Sequence, residues 1–159
     1  MHFDKMKTFT FFILLTSSLV LINCAQNSSK VDFAASDRKE IMQILNQQAE
    51  NWSNGNLDKF MEGYWKSDSL QFIKQERIVY GWQETFDNYK KTYSDSTQSV
   101  KDLGKLQFEI LKINSLSSDA AFLTGKFSLE KDKRMLIGIF TLVFRNIDGR
   151  WLIVYDHTS

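Results

Sequence analysis

The sequence predicts an α+β domain: three helices and a small hairpin in the front half, and a curved antiparallel sheet of about four long strands in the back half. Three observations carry this. Apolar residues recur at helical spacing as far as Tyr93 and at strand alternation from Leu106 onward. A polar stretch at residues 94–102 separates the two regimes. Finally, 159 residues that are 43% hydrophobic and 14% aromatic, with no proline, suit one packed domain rather than a disordered or repetitive chain.

Residues 1–23 stand apart from that domain. Lys5 and Lys7 precede an uncharged, mostly apolar run at residues 8–22, too short to cross a bilayer comfortably and the right length for a secretory signal. The run ends Leu21, Ile22, Asn23, Cys24, and this resembles the lipobox of bacterial lipoproteins, which implies a lipid anchor on Cys24 and a place on the cell envelope. The alternative is a plain secretory signal that leaves a soluble periplasmic or secreted protein. Removing residues 1–23 takes away Lys5, Lys7 and Asp4, so the remaining chain is electrically neutral and carries no electrostatic footprint for nucleic acid. Its only thiol is Cys24, which excludes disulfides and zinc–thiolate sites. Residues 24–35 read as a tether, and residues 36–159 as the domain.

Within the domain, Asp37 followed by Glu40 reads as a capping box, and Ile41, Ile44, Leu45, Gln48 and Trp52 then mark an amphipathic helix. Asn54, Gly55 and Asn56 supply a left-handed stop and a new N-cap; Leu57, Phe60, Met61 and Tyr64 mark a second helix closed by Trp65. Residues 70–73 and 77–80 form strand-like runs around Lys74, Gln75 and Glu76, a small hairpin. Trp82, Phe86, Tyr89 and Tyr93 stripe a third helix.

Beyond the polar stretch, Leu106, Phe108 and Ile110 alternate on one face while Leu111 and Ile113 take the opposite parity, so a bulge is expected between Ile110 and Leu111. Residues 120–129, 135–147 and 151–157 give three further strands, the last two joined by Asp148 and Gly149. Residues 137–144 and 151–155 are apolar on both parities, whereas helices cover one face only. The other face is therefore expected to pair with a second copy in a homodimer.

The segment WSNGNLDKF at residues 52–60, the run IVYGWQETFDNYKKTY at 78–93 and the ending FTLVFRNIDGRWLIVYDHTS at 140–159 resemble the nuclear-transport-factor-2-like (NTF2-like) superfamily, in its small SnoaL-like or DUF4440-like bacterial branch. The last run also resembles the final hairpin of the association domain of calcium/calmodulin-dependent kinase. The resemblance covers about residues 37–159. It implies a cystatin/NTF2-like cone, a sheet wrapped round the first helix with a pocket on its concave face, and a dimer through the sheet. It does not fix an activity, because this scaffold hosts isomerases, dehydratases, hydrolases, binding modules and oligomerisation domains.

The chain has no nucleophile elbow, phosphate-cradling loop, dinucleotide fingerprint or helical His pair, so no cofactor and no metal site is expected. His157 is the single histidine of the mature chain. It is the candidate acid–base or ligand-binding group, with a histidine hydrogen-bonded at a strand end as the plain alternative. Asp156 beside it points to the opposite face and cannot orient it. Trp52, Tyr64, Trp65, Tyr80, Trp82 and Tyr89, with Phe86, come from elements that converge on the expected pocket; they read as core, with an aromatic pocket for a small apolar ligand as the functional alternative. Tyr64, Tyr80 and Tyr89 are candidate donors and Asp68 or Asp87 a candidate base. Arg77 and Lys126 read as solvated edge charges, with recognition of a ligand carboxylate as the alternative. The leading expectation is a small-molecule binding module; the rivals are a cofactor-independent isomerase, dehydratase or hydrolase, and a protein-interaction domain.

Overall fold

The structure, a computed structural model, describes residues 34–93 and 102–159. The signal segment, Cys24 and most of the tether lie outside the described residues, as does most of the polar stretch after Tyr93.

Helix α1 (Ala35–Ser53) begins one residue before the expected boundary. Asp37 is not its N-cap. It sits three residues in, where its Oδ2 accepts the Ala34 amide at 2.9 Å and its Oδ1 accepts the Trp151 indole N–H at 3.1 Å, so it closes the helix start and ties it to the sheet. The helix stops at Asn54, and Gly55 takes the left-handed conformation (φ 71°) that a side chain would resist. Asn56 then caps α2 (Leu57–Met61), accepting the Lys59 amide at 3.1 Å. This helix is shorter than expected: Tyr64 lies beyond it, where the chain runs parallel to Ile153 and exchanges backbone hydrogen bonds with it through Gly63 and Trp65.

The hairpin forms as β1 (Gln71–Lys74) and β2 (Arg77–Tyr80), and α3 (Trp82–Tyr93) follows. Four long strands complete the chain: β3 (Lys105–Ser117), β4 (Ala120–Lys131), β5 (Arg134–Ile147) and β6 (Arg150–Thr158). One expectation is corrected. The hairpin does not stand apart from a four-stranded antiparallel sheet; β1 runs parallel to β6, giving one mixed six-stranded sheet in the order β2-β1-β6-β5-β4-β3. The parallel pairing joins strands distant in sequence, which local patterning does not reveal. The sheet has two free edges, β2 and β3, so it is an open layer and not a closed cone.

Two bulges decide which side chains face the helices. In β3 the register steps between Ile110 and Lys112, so Leu111 is left out of the ladder and the inward set passes from Leu106, Phe108 and Ile110 to Ile113, as the sequence implies. In β6 the register steps again. Ile153 pairs with Phe144 and Tyr155 with Val143, leaving Val154 unpaired. The inward set therefore changes from Trp151 and Ile153 to Asp156 and Thr158. The core lies between α1–α3 and this face, centred on Ile41, Leu45, Met61, Leu123, Phe144, Trp151 and Ile153.

Candidate functional site

A cavity of about 100 Å³ opens between the helices and the inner face of the sheet. Its floor depends on two glycines. Gly125 pairs with Phe140 and Gly138 with Phe127, so each ring lies against a residue with no side chain. A Cβ at Gly125 would stand 2.5 Å from Cζ of Phe140, and one at Gly138 would strike the Phe127 ring. Aromatic rings also build the walls. Trp52 stands edge-on to Phe60, Tyr89 and Tyr93 at 5.1, 5.8 and 4.8 Å between centroids, and Tyr89 meets Phe72 at 5.5 Å. Trp52 is fixed by its indole N–H, which donates to the Leu103 carbonyl at 3.0 Å.

Polar groups gather at one end. Asp156, only 4% exposed, accepts a hydrogen bond from the Tyr64 hydroxyl at 2.7 Å and another from Thr158 Oγ1 at 3.0 Å. Tyr89 brings a second phenol against Tyr64. Burial pushes the Asp156 carboxyl up to about 6, against the opposing pull of the Tyr64 and Thr158 hydrogen bonds and the charge of His157. Burial, reinforced by the Asp156 charge, holds both tyrosines well above the ordinary phenol range, so they remain neutral donors. The arrangement is an apolar aromatic chamber with a carboxyl that changes charge near neutrality and is backed by two phenols. Such a set can bind a ligand's polar group or move one proton.

Of the side chains singled out from the sequence, Trp52, Tyr64 and Tyr89 line the cavity. The others do not. His157 pairs in register with Ile73 and Thr141 and projects from the outer face, because the bulge at Val154 reverses the parity it was assigned alongside Trp151 and Ile153. Tyr80 is 60% exposed on the same outer face. Trp65 faces a separate shallow hollow with Tyr155 and Arg145. Trp82 packs against Phe86 and donates to the Met61 carbonyl at 3.1 Å. Asp68 is exposed and outside the lining, while Asp87 is held by Lys90 at 2.9 Å and has its carboxyl lowered by that lysine and by Gln83. Lys126 faces Glu109 at 3.7 Å on the outer side. Asp156 itself was read only as a failed orienter of His157. The signal that could have found it is the polar pair Asp156 and Thr158, which share one parity directly after the apolar run at residues 151–155.

Among the described residues, no three His, Cys, Asp or Glu side chains gather as a metal site. A model of the SnoaL-like domain family matches residues 41–159. Among solved structures, an NTF2-like protein of unknown function from Shewanella oneidensis MR-1 is 40% identical, with 77% of this chain and 98% of that one covered and a TM-score of 0.71. An NTF2-like superfamily protein from Salmonella enterica serovar Typhimurium is 20% identical over 79% of this chain and 92% of that one, with a TM-score of 0.59. A putative calcium/calmodulin-dependent protein kinase II association domain from Xanthomonas campestris is 16% identical over 76% and 85%, with a TM-score of 0.58. The last two share the fold alone. A search of curated proteins found no match.

Proposed function

The chain belongs to the SnoaL-like domain family, and on that premise we propose that it is a binding protein for a small molecule with an apolar, ring-sized body and one polar group. The observation that carries this reading is the placement of a buried carboxyl and two neutral phenols at one end of a cavity otherwise walled by aromatic rings. Rings supply the contact area, and Asp156, Tyr64 and Tyr89 orient the ligand through its polar end. At about 100 Å³ the chamber is smaller than the cavity of about 150 Å³ that takes benzene, so it encloses part of such a ring and the rest of the ligand extends beyond it.

One feature favours a second reading, general acid–base catalysis in the same cavity. A carboxyl with a pKa of about 6 is matched to taking a proton from, or returning it to, a bound ligand near neutral pH, while the phenols stabilise negative charge developing on an adjacent oxygen. Asp156 takes the part first assigned to His157. This fits a cofactor-independent isomerase, dehydratase or hydrolase.

We place this domain on the bacterial cell envelope, held through lipid on Cys24 after removal of residues 1–23. Support comes from the position of Cys24 at the end of the apolar run. A second copy meets the outer face of the sheet, where Ile137 is 67% exposed among other apolar side chains.

Native mass spectrometry and metabolite extraction on protein purified from its own membranes test the binding reading. The expected result is a co-purifying small molecule that Asp156→Asn retains less well; recovery of empty protein, with no ligand from a metabolite panel, overturns it. Cys24→Ser is expected to abolish lipid labelling and membrane sedimentation. Unchanged labelling would dismiss the anchor.

A further inference from the structure

The cavity continues outward. A second hollow of about 240 Å³ lies between α3 and the β1–β2 hairpin, and it shares Phe72, Lys74, Tyr89 and Tyr93 with the inner chamber, so the two adjoin along these side chains. The outer part has a different character. Its charged lining residues are Lys74 and Arg77, and Thr85, Asn88 and Thr92 complete its polar wall.

These two cations are register partners across the hairpin. Like charges directly opposite each other on paired strands are destabilising, and a hairpin built for stability alone would alternate their sign. Nor are they neutralised elsewhere: among the described residues neither Lys74 nor Arg77 takes part in an ion pair. Glu76, in the turn between them, forms no ion pair with either; of the α3 acids, Asp87 is engaged by Lys90 and Gln83, and Glu84 accepts from the Asn88 amide. The adjoining hollows thus lead from a buried carboxyl at the inner end, past apolar rings, to two cations without ion pairs at the mouth.

We propose that the adjoining hollows take a small monocarboxylate, with its carbon body between the rings, a hydroxyl or similar neutral group at Asp156 and Tyr64, and its carboxylate between Lys74 and Arg77. The assignment rests on the binding reading above and deepens it. Polarity fixes the orientation, since the Asp156 carboxylate repels an anion that the mouth attracts. The register sets the order along the inner face: Phe72 lies opposite Asp156 and Lys74 opposite Thr158, so the cation stem follows the buried carboxyl by two strand residues. A ring with a hydroxyl at one end and a carboxylate at the other is the simplest ligand of that polarity.

The probes are therefore 4-hydroxybenzoate and its neutral counterpart 4-hydroxybenzamide, titrated calorimetrically into the full-length protein at neutral pH and low salt. The acid is expected to bind at least tenfold more tightly than the amide. The double variant Lys74→Gln/Arg77→Gln should bind acid and amide alike, with no fall in melting temperature, since it relieves two facing like charges. Equal affinity of the native protein for acid and amide, or a preference that survives in the double variant, overturns the carboxylate assignment and leaves the binding reading standing. If neither probe binds at millimolar concentration, the carboxylate assignment falls, while the binding reading is decided separately by the co-purification experiment.

Discussion

Asp156 holds a proton that an exposed aspartate would have released, because its carboxyl is enclosed by rings and the Tyr64 and Thr158 hydrogen bonds only partly offset the loss of water. The consequence for stability has a definite sign. In the unfolded chain this group titrates near 4, and in the folded one at about 6, so the folded state binds the extra proton between those values. The stabilising contribution is complete below about pH 4 and is lost as pH rises through 6. The gap is worth on the order of 3 kcal/mol. Asp156→Asn, which keeps the size but exchanges one acceptor oxygen for an amide donor, removes this titration, so its stability relative to the native protein should rise progressively from pH 4 to 6 and stay level above that. Melting curves across this range check it, and parallel profiles would show that the carboxyl is not buried in solution. The residue scale is also where sequence reasoning was weakest. Trp52 and Tyr89 were legible as core or pocket residues because helix periodicity places them on the apolar sides of α1 and α3, and Tyr64 followed from the apolar spacing that continues just past α2, whereas the choice between Asp156 and His157 turned on one unpaired residue.

That residue, Val154, is an element-scale feature. Strand parity is reliable only while the ladder is regular, and a single insertion exchanges the two faces for everything that follows. In β3 the change was legible, because Ile110, Leu111 and Ile113 are all apolar and break the alternation visibly. In β6 both parities are apolar before the bulge, so the sequence shows no break, and only the polar Asp156 and Thr158 report the exchange afterwards. Deleting Val154 should restore a regular register and force Asp156 away from Tyr64. The expected loss is roughly 3 kcal/mol or more, the range reached when a buried polar network is broken. Val154→Thr, which keeps the bulge, should stay within about 1 kcal/mol. Chemical denaturation of the two variants side by side separates the roles of spacing and side chain; equal losses would mean that the bulge does not set the register. The helices, the hairpin and four long strands were legible from periodicity and turn residues. The parallel contact of β1 with β6 was not, since it joins segments some eighty residues apart with no connecting pattern.

At the scale of the molecule, the helices cover one face of the sheet and leave Met135, Ile137, Ile139 and Ile78 on the other. If a second copy covers that face, Ile137→Glu/Ile139→Glu should halve the sedimenting mass while the fold, read by circular dichroism, is unchanged. A native protein that sediments as a monomer at about 100 μM would dismiss the pairing. The strand order carries one more consequence. Of the described elements β6 is synthesised last, yet it lies in the middle of the sheet, hydrogen-bonded to β1 on one side and β5 on the other. Until it emerges from the ribosome, the nascent hairpin and the β3–β5 meander have no shared neighbour, and Ile153 is not there to receive the turn after α2. Completion of the sheet therefore waits on β6, the single element that joins its two otherwise separate halves.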